Sequence, residues 1–275
     1  MTADSPLTRP IHSSGERVAA VGLGTWQTFD VAPSDYAAPK EVLDRFVAQG
    51  GAVVDSSPMY GRCEQVVGDL ARELDLHGRL FLATKVWATG RTGGAQQIEA
   101  SFRKLGTERI DLLQVHNLVD AQTHLRTLSE LKAAARIRYV GVTHYSADAH
   151  DALARVLETE RVDFVQVNYS VAEREAERRL LPSALANGVS VIVNRPFAEG
   201  NLLRRLHGRP LPRWANDIGC PTWAQALLKF VLAHPAVTCV VPATRNPVHV
   251  DDNMAVLYGP LPDSRLRKRI AADAG

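Results

Sequence analysis

Cysteine is scarce in this chain. Cys63, Cys220 and Cys239 are the three among 275 residues. The count is odd, and no CxxC spacing occurs. That argues against a disulfide framework or a zinc site, and no metal is expected. A reducing cytoplasm is the compartment that suits such a chain. Charge of one sign is equally lacking. Thirty-two Lys and Arg face 30 Asp and Glu, a formal net charge of +2. Without a block of like charge there is no nucleic-acid or acidic-membrane footprint. The start, Met1 to Arg9, has no apolar core of the signal-peptide kind. The most apolar stretch, Ala226 to Val241, is interrupted by Lys229, His234 and Pro235 and cannot span a bilayer. A dinucleotide fingerprint is also missing. Gly22-Leu23-Gly24 lacks its third glycine, and no helix pattern opens directly after it. These two glycines are expected to let the backbone approach something at a strand end.

What the chain does have is alternation. Residues 7–22 read as a hairpin turning at Ser13-Ser14-Gly15. Short apolar runs then alternate with helical patterns. Strands are expected near 52–55, 80–86, 110–117, 137–142, 162–168, 189–193 and 237–241. Helices are expected over 40–49, 64–74, 95–105, 121–135, 148–157, 173–186, 222–233, 247–258 and 264–272, with 200–220 irregular. With the hairpin's second arm, Arg17 to Val21, as the first strand, eight strand–helix units at a spacing of roughly 25–35 residues fit an α/β fold of the (β/α)8 TIM-barrel type, about 250 residues in size. The hairpin would close its bottom. A doubly wound sheet is the alternative, but no topological switch point is visible. No linker divides the chain, so residues 1–275 are expected to form a single barrel domain.

In such a barrel the C-terminal ends of the strands converge on one site. Asp55, Lys85 and His116 end three consecutive strands, and Tyr60 follows the first of them. A histidine ending an apolar run is more often a satisfied core residue than a catalyst. Four titratable groups at matching ends of neighbouring strands are harder to assign to chance. A buried Lys85 needs a carboxylate, and Asp55 supplies one. The ammonium would lower the pKa of Tyr60 from about 10 and make it a better acid near neutrality. His116 can donate to the same substrate oxygen. The set suits protonating a carbonyl oxygen, and the hydride must come from a cofactor.

These residues and their surroundings resemble the aldo-keto reductase superfamily. The resemblance is carried by Gly22-Leu23-Gly24-Thr25-Trp26, Asp55 to Gly61, Ala83-Thr84-Lys85, Asp111 to His116, Gly141-Val142-Thr143, Gln166 to Tyr169 and Val241 to Arg245. It implies a barrel that binds NADP(H) in extended form and reduces aldehydes and ketones, with NAD(H) as the alternative cofactor. It implies Tyr60 as proton donor, tuned by Lys85 and Asp55, with His116 positioning the carbonyl. Cofactor contacts are implied at Gly24, Thr25, Trp26, Asp55, Thr143, His144, Gln166, Asn194, Arg195, Pro196, Phe197, Thr244, Arg245, His249, Asp252 and Asn253.

The chain also departs from the family. Thr143-His144 stands where Ser-Asn is usual. Asn194 occupies the place of the aromatic that stacks on the nicotinamide, and Arg195 that of a serine. Ala243 replaces the lysine that pairs with the NADP 2′-phosphate, and His249 an arginine. The C-terminal tail is short, which leaves an open pocket lined by Trp26, Met59, Tyr60, Trp87, Asn117 and Trp214. Those rings favour an apolar or aromatic small-molecule carbonyl substrate. The other functional reading is a nucleotide-binding redox sensor or regulatory subunit with slow or vestigial chemistry. The sequence does not set the oligomeric state, and a monomer is compatible with it.

Overall fold

The computed structural model describes residues 5–275, so the first residues of the polar start lie outside it. Strands β1 (Thr8–Pro10) and β2 (Arg17–Ala19) pair antiparallel as the expected hairpin. Eight parallel strands follow: β3 (Leu23–Gly24), β4 (Val53–Asp55), β5 (Phe81–Val86), β6 (Ile110–His116), β7 (Ile137–His144), β8 (Phe164–Asn168), β9 (Ser190–Asn194) and β10 (Val237–Val240). They neighbour one another strictly in chain order. Parallel bridges Val21–Val240 and Gly24–Ala243 join the last strand to the first. Hydrogen bonds from Gly22 N–H to Val240 O (2.8 Å) and from Gly24 N–H to Pro242 O (3.0 Å) complete the closure. A sheet that closes on itself in sequence order is a (β/α)8 barrel and has no switch point. A Cβ on Gly24 would lie 2.9 Å from Val241 O, so what approaches this glycine is the barrel's own closing strand.

Helices α1 (Ala37–Ala48), α2 (Cys63–Glu73), α3 (Arg91–Leu105), α4 (Ala121–Ala133), α5 (His150–Thr159), α6 (Leu180–Ala186), α7 (Asn201–Leu206), α8 (Trp214–Asp217), α9 (Trp223–Leu232), α10 (Pro247–Met254) and α11 (Ser264–Ala274) surround the strands. Two expectations change here. The helix expected over 173–186 begins only at Leu180, after a short 3-10 turn at Glu175–Glu177. Pro182 is then in the first turn, where its missing N–H costs nothing. Glu177 is also held by Tyr169, Arg174 and Arg267, which fixes the preceding turn. The segment expected to be irregular over 200–220 contains α7 and α8.

Side chains alternate across each strand. Val53, Phe81, Ala83, Leu112, Tyr139, Phe164, Ile192 and Cys239 fill the barrel interior, together with Ile11 of the hairpin. The residues between them, such as Val54, Leu82, Leu113, Val140, Val165 and Val193, pack outward against the helices. The hairpin covers the end where strands begin. His12 N–H donates to Ser190 Oγ at 2.9 Å, and Tyr139 OH donates to Glu16 at 2.7 Å. Counting by twos from the interior residues puts Asp55, Lys85, Gln114, His116, Thr143, Gln166 and Asn194 inward at the other end.

Candidate active site

Lys85 is fully buried among these inward residues. Its ammonium donates to Asp55 Oδ1 (2.9 Å), Asp55 Oδ2 (2.8 Å) and Ser56 O (2.7 Å). The same nitrogen lies 5.1 Å from the Tyr60 ring centroid. Burial alone pulls the pKa of the lysine down, but Asp55 and Tyr60 outweigh it and the net shift is upward. The ammonium is therefore a fixed charge under the tyrosine.

Tyr60 departs from expectation. Burial raises its pKa, and the lowering by Lys85 offsets only part of that. The net direction is up, because removing a phenolate from water outweighs one cation that Asp55 has already neutralised. Tyr60 is thus held as the protonated phenol. His116 packs edge-on to it, with ring centroids 6.0 Å apart. Burial, then Lys85 and His144, push the His116 pKa down to about 3. The imidazole is neutral near pH 7. Its Nδ1 lies 3.2 Å from Ser57 Oγ, which itself accepts Met59 N–H. If the Ser57 hydroxyl donates to Nδ1, the ring proton sits on Nε2, free to donate.

A cleft of about 740 Å³ opens above this group. Gly24, Thr25, Trp26, Asp55, Met59, Tyr60, His116, Asn117, Thr143, Gln166, Asn194, Arg195, Pro196, Phe197 and Arg245 all line it, as expected. Trp87 is not among the lining residues, though its ring lies 6.4 Å from that of His116, which is. A shallower depression of similar volume, at Phe102, Arg109 and Arg136, shares none of these residues.

On the far wall, Thr143 OH donates to Gln166 Oε1 at 3.1 Å. This fixes the amide so that Gln166 Nε2 is the free end, and that atom is buried without a partner. Asn194 Oδ1 is likewise buried and unpartnered. Orphaned buried polar atoms are costly and mark places where a ligand completes the bonding. The donor set therefore fits the amide end of a nicotinamide.

Other expected residues are placed differently. Trp214 is a correction. It is buried on α8, edge-on to Trp223 at 5.9 Å, and donates to Asp273 at 2.7 Å. It packs the loop and is not on the cleft. His144 does not line the cleft either; its Nδ1 accepts Ser146 N–H at 3.1 Å and its ring stacks on Tyr145. Arg195 is tied to Tyr145 O (3.0 Å) and ion-paired with Glu199 (3.4 Å). Thr244, His249, Asp252 and Asn253 gather at the start and inner side of α10. Asp252 there accepts from Thr222 and Gln225, and His249 lies 3.3 Å from Thr244 Oγ1.

Gln114 and Tyr145 are among the site residues missed from sequence. Gln114 is fully buried, pairs in register with Lys85 and places Nε2 3.5 Å from Asp55 Oδ1. A Cβ on its neighbour Gly141 would lie 2.9 Å from Gln114 Cγ, so the glycine makes room for it. The signal was parity, since Gln114 is two residues before His116. Tyr145, directly after β7, lines the cleft.

Residues 20–271 match the Aldo/keto reductase family. The chain belongs to that family. Among its relatives, methylglyoxal reductase YeaE of Escherichia coli is 29% identical over 93% of this chain and 92% of its own length. Aldo-keto reductase YhdN of Bacillus subtilis is 28% identical, with 71% of this chain matching 63% of YhdN. A Klebsiella pneumoniae aldo-keto reductase solved with NADPH superposes with a TM-score of 0.82 at 25% identity, covering 98% of this chain and 95% of that one.

Proposed function

We infer that this chain reduces an aldehyde or ketone to the alcohol at the β4–β6 end of the cleft. NAD(P)H-dependent carbonyl reduction is the chemistry of the family, and the sensor reading is not favoured. The observation that carries the assignment to residues is the buried Asp55–Lys85 pair set against a protonated Tyr60, with neutral His116 at its edge. When bound, the reduced nicotinamide supplies hydride to the carbonyl carbon. Tyr60 gives its proton to the carbonyl oxygen, and solvent later restores it. The Lys85 ammonium stabilises the phenolate left behind, and Asp55 keeps Lys85 charged and in place. His116 Nε2–H donates to the same oxygen and orients it.

Gln166, Thr143 and Asn194 would hold the nicotinamide end, and Thr244 and Arg245 the phosphate end near the start of α10. NADP(H) is the cofactor we propose. Arg245 is the cation that remains there, although one relative is named an NADH-specific methylglyoxal reductase. The half-exposed rings of Trp26 and Trp87 and the Met59 side chain form an apolar rim, which supports an apolar or aromatic carbonyl substrate. Three free buried cysteines support a cytoplasmic setting.

The test is consumption of NADPH, and separately of NADH, against a panel of aromatic, small aliphatic and charged aldehydes. Turnover with aromatic aldehydes is expected to exceed that with charged aldehydes. No turnover with any member would remove the reductase assignment.

A further inference from the structure

Strand β9 ends on an amide, Asn194. We propose that Asn194 Oδ1 accepts a hydrogen bond from the carboxamide N–H of the bound nicotinamide, so that the amide is gripped at both ends. This rests on the nicotinamide-dependent reading above.

Three observations converge on it. Thr143 fixes Gln166 Oε1, which leaves Gln166 Nε2 as a buried donor lacking an acceptor. Asn194 Oδ1 is a buried acceptor lacking a donor, and both residues line one cleft. A primary carboxamide offers the complement, one acceptor oxygen and one donor nitrogen. Their strand positions also bring them close. Gln166 pairs with Ile192 and Asn168 with Asn194, so the two amides stand on adjacent strands, two residues apart along them. That is about 5 Å across and about 7 Å along. From those backbone positions both side chains reach into the same cleft.

Among the described residues, the polar side chains next to Asn194 make bonds elsewhere. Asn168 is committed to His150 Nε2 at 2.9 Å. Arg195 is engaged by Tyr145 O and Glu199. The nearby Tyr145 ring already stacks on His144 at an interplanar angle of 17°.

The acetylpyridine analogue of NADP+ keeps the carbonyl oxygen but carries methyl in place of the amide nitrogen. It tests the Asn194 bond while sparing the one to Gln166. Dissociation constants for NADP+ and the analogue would be measured by quenching of tryptophan fluorescence. The wild-type protein should bind the analogue about tenfold or more weakly. Asn194→Leu should bind the two equally, and Asn194→Asp, an acceptor only, should keep the discrimination. Equal binding by the wild type, or an unchanged ratio in Asn194→Leu, overturns the proposal. If Asn194→Leu fails to fold by circular dichroism, the wild-type ratio and Asn194→Asp decide. Failure of the wild type to bind either dinucleotide is a separate result, and it removes the cofactor reading itself.

Discussion

At the floor of the cleft one ion pair sits beside two neutral donors. The ion pair, Asp55 with Lys85, and the donors, Tyr60 and His116, were legible in sequence because each is a polar residue at or just past the end of an apolar run. Their protonation states were not legible, since burial decides them and burial is a tertiary property. Reduction needs the phenol form of Tyr60, so activity is lost as pH rises through its pKa. That pKa is raised above the ordinary value of about 10. His116, at about 3, is already neutral throughout the neutral range. The rate of reduction at saturating substrate should therefore be flat from about pH 6 to about pH 9, with no inflection near the ordinary histidine value of about 6.5. A pH–rate profile checks this, and a limb between pH 6 and 7 would show His116 acting as a cation. Gln114 stayed hidden for another reason. An amide inside an apolar strand carries no charge signal, and only the two-residue parity with His116 marks it.

The elements position these groups through strand parity. Each strand spends its first inward residues on the core and its last on the site: Phe81 then Lys85, Leu112 then His116, Phe164 then Gln166. Strand positions were readable because the apolar runs are buried on both faces. Helix limits were less so where distant partners intervene, as with Glu177, which Arg267 of α11 pulls from its expected helix. The 200–220 loop misled for a similar reason, because a tryptophan in a loop over the site looks like a pocket wall. Its structural partners, Trp223 and Asp273, lie farther along the chain. Trp214→Ala should cost about 3–5 kcal/mol of stability, as large buried aromatics do. KM for a carbonyl substrate should stay unchanged. Denaturant unfolding with steady-state kinetics on the same variant separates the two roles, and a raised KM without lost stability would return Trp214 to the pocket.

Across the whole molecule, closure in chain order divides the labour around one rim. The β4–β6 arc holds Asp55, Tyr60, Lys85 and His116, the groups that deliver the proton in the proposed reaction. The arc from β7 to the segment after β10 holds Thr143, Gln166, Asn194 and Arg245, the residues proposed to hold the cofactor. The family and the barrel could be read from periodicity and motif. The division could be read only as far as strand order could be inferred, because it depends on which strand ends meet in the closed cylinder. It makes proton delivery and cofactor binding separable. The direct measurement uses Tyr60→Phe, with single-turnover reduction of an aldehyde and NADPH affinity determined on the same sample. Reduction should fall by about 10²–10⁴-fold with affinity essentially unchanged. Reduction that persists near the wild-type rate would contradict the assignment of Tyr60 as the proton donor.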